Sequence, residues 1–446
     1  MTLLTGWGRT AATDAELVRT RSEEEIASAT RTAPDRGVIA RGLGRSYNDA
    51  AQNAGGRVIE LRRSDRTIEI DPDGLARLDA GCSIDELLAV AVPRGWFVPV
   101  TPGTRQITVG GAIAADVHGK NHHVDGAFGD HVERMVVIDG RGQAHELRPT
   151  TDVGWWGALR GGMGLVGTIA AADVRLHAIE TSLVSVDTER ATDLDDLMER
   201  MESRDDAYRY SVAWVDLLTT GRTLGRGVLT RGDFATADQL PPARTTDPLA
   251  FSSGSLATVP AVVPPKLLNR FSIRAFNELW YRRAPRHRTG ELQSIGAFFH
   301  PLDGLSAWNR LYGASGFVQW QCVVPIGAEE ELRTIVGRFA EQRCPTFLAV
   351  LKRFGPGADA PLSFPMPGWT LAVDVPAEVP GLAALLDDLD ELVVVVGGRL
   401  YLAKDARVRP ELVPPMYPRL DELRSVRAAV DPDGRFRSDL SRRLGW

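Results

Sequence analysis

Apolar and polar positions along the first hundred residues fall into short segments that switch between a helical and a strand period. Ser22 and Glu25 stand three apart ahead of Ile26, Ala27 and Ala29, the spacing of a capping box that opens an amphipathic helix, and Pro34 ends it. Strands are predicted over 37–40, 58–61, 67–71 and 75–80, with Pro72-Asp73-Gly74 turning the last two into a hairpin. Ser83 and Glu86 repeat the capping box before a helix running to about Val92; Pro93-Arg94-Gly95 stops it, and a strand over 96–100 follows. A further apolar strand over 168–174 comes after the glycine cluster at 161–167.

From about residue 181 the pattern changes to acidic helical segments around 193–202 and an aromatic, strand-rich middle, which predicts a domain boundary there. Residues 247–265 are rich in Ser, Pro, Gly and Ala without a regular period and read as a lid. Lys266, Arg270, Arg274, Arg282, Arg283, Arg286 and Arg288 follow, with only Glu278 in opposition, as a local basic patch. Over 317–324 a period of two puts Gln319 and Gln321 on the face of Phe317 and Val323. Over 347–354 it puts Lys352 with Leu348, Val350 and Phe354. The β-branched run 392–396 reads as a strand broken by Gly397-Gly398, and the strand resuming over 399–405 places Lys404 with Leu400 and Leu402. A lysine on an apolar face can be a stem that snorkels to water; two of them with two glutamines point to a polar cleft.

The chain has 446 residues, 43% of them hydrophobic and 25% charged, enough for two or three domains of a soluble enzyme. Its formal charge of -6 argues against a nucleic-acid binder, so any phosphate affinity must be local. Cys82, Cys322 and Cys344 are an odd, scattered set that fits core positions better than disulfides or zinc. Neither a secretory signal nor a transmembrane segment is expected.

Candidate chemistry starts with two glycine-rich stretches. One is Arg41-Gly42-Leu43-Gly44-Arg45-Ser46-Tyr47-Asn48-Asp49; the other contains Gly103 and runs on through Thr108-Val109-Gly110-Gly111 to Ala115-Asp116-Val117-His118-Gly119-Lys120-Asn121. Each offers a row of backbone N–H groups without Cβ hindrance, and together they suggest a clamp around a pyrophosphate. The first is not a G-x-G-x-x-G fingerprint, because Tyr47 stands where the third glycine belongs, and there is no G-x-x-x-x-G-K-[ST] loop. His118, His122 and His123 have spacings that could converge on an ion, but Gly119 and the lack of a nearby carboxylate or thiolate cluster beyond Asp116 weigh against it, and no metal is expected.

Taken in order, Gly-Leu-Gly-Arg-Ser-Tyr, hairpin, helix, Pro-Gly-Thr, Val-Gly-Gly-Ala-Ile and Asp-x-His-Gly-Lys-Asn-His-His resemble the FAD-binding domain of the vanillyl-alcohol-oxidase-type flavoproteins. Within that family the chain is similar to the branch acting on polyprenylphosphoryl ribose, on Leu4-Thr5-Gly6-Trp7-Gly8-Arg9-Thr10, His300-Pro301-Leu302-Asp303, Pro361-Leu362-Ser363-Phe364-Pro365 and Gly397-Gly398-Arg399-Leu400-Tyr401. The resemblance implies an α+β fold of two domains: an FAD-binding domain of the PCMH type over 1–180, made of two α/β subdomains, and a substrate domain over 181–398 built on an antiparallel sheet flanked by helices. The latter would carry the lid and basic region 247–288, and 399–446 would return to the first domain.

By position, Arg41 to Asp49, Gly103 and Thr108 to Gly111 would hold FAD, and Ala115, Asp116, Val117, His118, Ile169 and Tyr401 would surround its isoalloxazine. Tyr47, His118, Gln321 and Lys404 would be catalytic, and Gln319, Gln321, Lys352 and Lys404 would bind substrate. The implied reaction converts the ribose 2-hydroxyl to a ketone for cell-wall arabinan synthesis, with an NAD(P)H-dependent short-chain-dehydrogenase-type reductase as partner and transient contact with the cytoplasmic membrane through 247–288. The alternatives are an aldonolactone or sugar-alcohol oxidase using oxygen, and a non-catalytic polyprenyl phosphate carrier. Some relatives tether FAD through a histidine where Arg45 stands, so FAD is expected to be non-covalent. Asn48 replaces a usual glycine, which predicts a turn needing positive φ; Ala372 and Ala349 replace a cysteine and an asparagine of mycobacterial members.

Overall fold

The computed structural model describes the whole chain except residues 62–67, 255–256, 261–262 and 264–267; Lys266 and the start of the strand expected from Thr67 lie outside the described residues. Among the described residues, the first 180 form a four-stranded and a five-stranded sheet besides one short two-stranded pair. Arg57–Leu61 pairs in parallel with Val38–Arg41 on one side and Ala12–Thr20 on the other, and Thr2–Thr5 adds antiparallel to the latter at the edge, while Leu75–Asp79, Thr168–Arg175 and Val132–Ile138 are the middle of a five-stranded antiparallel sheet. Their apolar faces meet the helices Glu23–Arg31 and Ile84–Ala91 in one core. Ser83 and Glu86 form the full capping box. At the first helix Ser22 caps the N–H of Glu25, but the Glu25 carboxylate takes the N–H of Arg21 at 2.6 Å instead of closing the box.

Eight strands make the second layer, all paired antiparallel, in the order His287–Ser294, Leu183–Ala191, Gly227–Phe234, Tyr210–Val215, Ala349–Phe354, Gly368–Pro376, Phe317–Pro325, Arg399–Leu400. Helices Leu194–Arg204, Glu329–Gln342 and Leu382–Val395 pack against it. The alternation along Phe317–Pro325 explains the layering: Trp320 turns to the helices, where its indole N–H donates to Asp390 at 2.8 Å, and Gln319 and Gln321 turn the other way. Chain ends then return to the first layer, through Phe436 bridging Val38 and Asp439 accepting from Thr13 at 2.9 Å. The fold is thus α+β.

Three elements differ from expectation. The run 392–396 is not a strand but the end of helix Leu382–Val395, because Leu382, Leu385, Leu386, Leu389 and Val393 share one buried helical face that outweighs four valines in a row. The strand over 399–405 is only Arg399–Leu400; a turn closed by the Lys404 N–H on the Tyr401 carbonyl at 2.9 Å follows it. The strand over 96–100 shortens to Trp96–Phe97, which pairs with His177–Ala178 alone. All three cysteines are buried and free.

Candidate active site

Between the glycine-rich stretches and the inner face of the eight-stranded sheet lies a cavity of about 1060 Å³. One end is backbone. Gly42, Gly44, Gly103, Gly110 and Gly111 line it with Arg41, Leu43, Arg45, Ser46 and Thr108. Among the described residues the N–H groups of Gly42, Leu43, Gly44, Arg45 and Ser46 donate to no protein acceptor, nor do those of Gly103 and Thr104. A Cβ on Gly103 would meet only open space. A row of unused donors along the cavity wall suits an anionic ligand, and these residues fit the pyrophosphate of a dinucleotide. Thr108 shapes the second stretch by capping the short helix Val109–Ala114, its hydroxyl accepting from Gly111 at 3.2 Å.

Four expected cofactor residues do not line the cavity but hold its wall. Val109 is buried in the core, and Asp49 pairs with Arg443 at 3.0 Å. Asp116 sits at φ 45 and accepts from Ser363 at 2.8 Å, with burial pushing its carboxyl up to about 6. Asn48 does not adopt positive φ; its amide donates to Leu402 O at 2.6 Å and to Asp405 O, and its oxygen accepts from Ala50. Asparagine is there for tertiary partners, and it ties the first glycine stretch to the turn that carries Lys404.

At the other end the sheet supplies side chains. Antiparallel register sets Gln321 opposite Ala372 and Ala372 opposite Val350, so Gln319, Gln321, Val350, Lys352 and Ala372 share one face and line the cavity. Lys404 joins them from its turn, 5.3 Å from the Tyr47 ring and 5.9 Å from Tyr401. Tyr401 donates to Ala115 O at 2.5 Å, and Ala115, Val117 and Ile169 complete the wall. His118 Nε2 lies 3.0 Å from Gln321 Nε2, which is also 3.0 Å from the Thr370 hydroxyl. Because that hydroxyl spends its proton on Cys322 O, the network assigns Gln321 as donor and His118 as neutral with Nε2 accepting. Burial, then the charges of Lys352 and Lys404, hold the His118 imidazole well below its ordinary range. His122 packs on Phe354 at 4.6 Å, as His118 does at 4.8 Å, and His123 reaches Tyr208 O at 3.0 Å.

Burial also lowers Lys352, and Lys404 and Lys120 lower it further, to about 7. Burial lowers Lys404, opposed by the carboxylate of buried Asp374, which in turn is raised by its own burial. Gln319 donates to Asp374 from the opposite strand. Sequence reasoning passed over Lys120, Asp374 and Arg105. The first stood in a quoted motif, Gly119-Lys120-Asn121, but the second carried no local signal. Of the basic patch, Arg283 reaches the cavity; Arg282 is paired with Glu278 and Arg288 with Glu291.

Residues 15–148 match the FAD binding domain family. The chain is 45% identical to the decaprenylphosphoryl-β-D-ribose oxidase of Mycolicibacterium smegmatis over 99% of its own length and 97% of that protein. It belongs to the decaprenylphosphoryl-β-D-ribose oxidase family. An uncharacterized Streptomyces coelicolor protein from the mprA 5′ region is 42% identical over 81% of this chain and its own full length. An uncharacterized oxidoreductase of the Rhodococcoides fascians fasciation locus is 29% identical over 37% of each chain. As a member of this oxidase family, the protein is an FAD-dependent oxidoreductase.

Proposed function

We propose that this protein oxidises the ribose 2-hydroxyl of a polyprenylphosphoryl ribose, decaprenylphosphoryl-β-D-ribose in its relative, to the 2-keto sugar. This is the first half of an epimerisation that yields the arabinose donor for cell-wall arabinan. The observation that carries the reading is the meeting, in one cavity, of unused backbone donors at one end with lysines and glutamines at the other. Bound FAD supplies the hydride acceptor. Lys404, framed by Tyr47 and Tyr401, orients the hydroxyl and stabilises the negative charge that develops near it. Gln319 and Gln321 position the sugar, and His118, kept neutral, fixes the Gln321 amide. Lys352 attracts the phosphate.

FAD is held without a covalent tether: Arg45, whose guanidinium lies 4.1 Å from the Trp7 ring, offers no nucleophile. Among the described residues no helix is long and apolar enough to cross a membrane. Phe271, Leu279 and Trp280 are exposed on the helix Arg270–Arg283 beside its arginines, which supports transient lipid contact there. The ketone would pass to an NAD(P)H-dependent reductase of the short-chain-dehydrogenase type. Trapping the product with borodeuteride tests the reaction: deuterium at ribose C2 is expected, and deuterium elsewhere or nowhere would overturn the assignment.

A further inference from the structure

We propose that Lys120 and Lys352 together form the seat of the substrate's phosphate, a pair of ammonium groups reaching the cavity from its two opposite layers. This deepens the sugar-phosphate reading above and rests on it. Lys120 comes from the stretch that follows the second glycine loop, donates to Phe298 O at 2.6 Å and lies 4.1 Å from the Phe298 ring centroid. Lys352 comes from the sheet and reaches the carbonyl of Gly119, the residue before Lys120, at 3.4 Å. Both line the cavity.

Charge accounting on the cavity wall favours an anion at this point. Seven basic side chains line it against three carboxylates, in a protein whose formal charge is -6. Those carboxylates are engaged: Asp85 with Arg105 at 2.6 Å, Glu291 with Arg288 at 2.7 Å, and Asp303 accepting from Thr104 and the Arg105 N–H, each at 2.7 Å. Neither Lys120 nor Lys352 has a carboxylate within ion-pair distance among the described residues, though each is packed in protein and the two repel one another. Holding two half-buried ammonium groups beside one another without a counter-ion is costly. A phosphate ester lying against both would supply the missing charge and accept from each.

Two arginines of the helix Arg270–Arg283, Arg270 and Arg282, fit this role less well. Arg282 and Arg226 share Glu278, and Arg270 covers its neighbour Phe271.

Titration gives a readout that loss of packing would not imitate. Lys120 faces the Phe298 ring and carbonyl and buried His300; Lys352 faces the Gly119 carbonyl, Phe354, His118, His122 and Lys404. Both histidines near Lys352 and His300 near Lys120 stay neutral, so among the groups facing this pair it is Lys120, Lys352 and, at about 8, Lys404 that change charge near neutrality. The Lys120 and Lys352 amines sit at about 7, so in the free enzyme they lose their protons as pH rises through that value, and affinity for an anion falls with them.

The experiment uses the FAD-loaded enzyme with farnesylphosphoryl ribose as substrate and farnesyl phosphate as a competitor lacking the sugar. In Lys120→Met and in Lys352→Met, KM and the competitor's Ki are expected to rise roughly 10- to 100-fold, the worth of a hydrogen bond to a charged group, with the larger loss in KM than in the saturating rate. Lys120→Arg and Lys352→Arg are expected to recover most of the affinity and to flatten its fall above neutral pH, because guanidinium keeps its proton. Unchanged KM and Ki in either Met variant that still oxidises the substrate would overturn the seat and leave the oxidation reading intact. Competitor binding that needs both lysines in an enzyme that never oxidises the ribose would uphold the seat and sink that reading. A Met variant that loses its flavin is replaced by the Arg variant, whose unaltered pH profile would also overturn the seat.

Discussion

Replacing Lys404 by methionine separates chemistry from stability. The ammonium is half-buried, has no carboxylate within ion-pair distance among the described residues, and touches the fold through two ring contacts at 5.3 and 5.9 Å. Losing these costs about 0.5–1 kcal/mol each, offset by no longer having to desolvate a cation, so the fold should survive. The rate should not: removing one donor aimed at developing charge costs roughly 10²–10³-fold. A second effect follows from Asp374, whose carboxyl is raised by burial and held down by Gln319 and by the charge of Lys404. Without Lys404 it rises further. A carboxyl raised in the folded state contributes stability that is present below its unfolded value and lost as pH rises through the folded one. The variant should therefore melt lower relative to wild type on the alkaline side of neutral than on the acid side. Stopped-flow reduction of the bound flavin under nitrogen and melting at two pH values measure both. A reduction rate within about threefold of wild type would refute the role given to Lys404.

Three further outcomes follow. In Gly110→Ala the new Cβ would stand 2.9 Å from the Cβ of fully buried Ala80, an overpacking of about 1–3 kcal/mol that should lower the melting temperature; Gly103→Ala meets open space and should leave apo-protein melting unchanged while weakening FAD in a titration. Asn48→Ala strands the buried carbonyls of Leu402 and Asp405, for a loss of about 1–3 kcal/mol, and should slow flavin reduction while FAD stoichiometry holds. Acid precipitation should leave all flavin in the supernatant; flavin in the pellet would contradict the absence of a tether.

The inner face of the sheet was readable because Phe317–Pro325 and Ala349–Phe354 are true strands, where a period of two assigns faces to Gln319, Gln321 and Lys352. Lys404 lines the same cavity, but from a turn and not from the strand expected over 399–405. What local pattern could not carry were the long-range partners. Asn48 bonds to residues more than 350 positions away, Asp374 faces Lys404 only once the turn is built, and Lys120 gains meaning only beside Phe298 and Lys352. The basic patch looked nearly unopposed because it was read as ending at Arg288, three residues before the partner Glu291, and because Glu278, the one carboxylate within it, bonds forward to Arg282 and also to distant Arg226.

The most direct test is a titration of the purified FAD-loaded protein with polyprenylphosphoryl ribose under nitrogen, followed by the visible absorption of the flavin. Stoichiometric bleaching, with the 2-keto sugar recovered from the same mixture, is the predicted result. A spectrum unchanged at saturating lipid, in protein that a chemical reductant still bleaches, would contradict it.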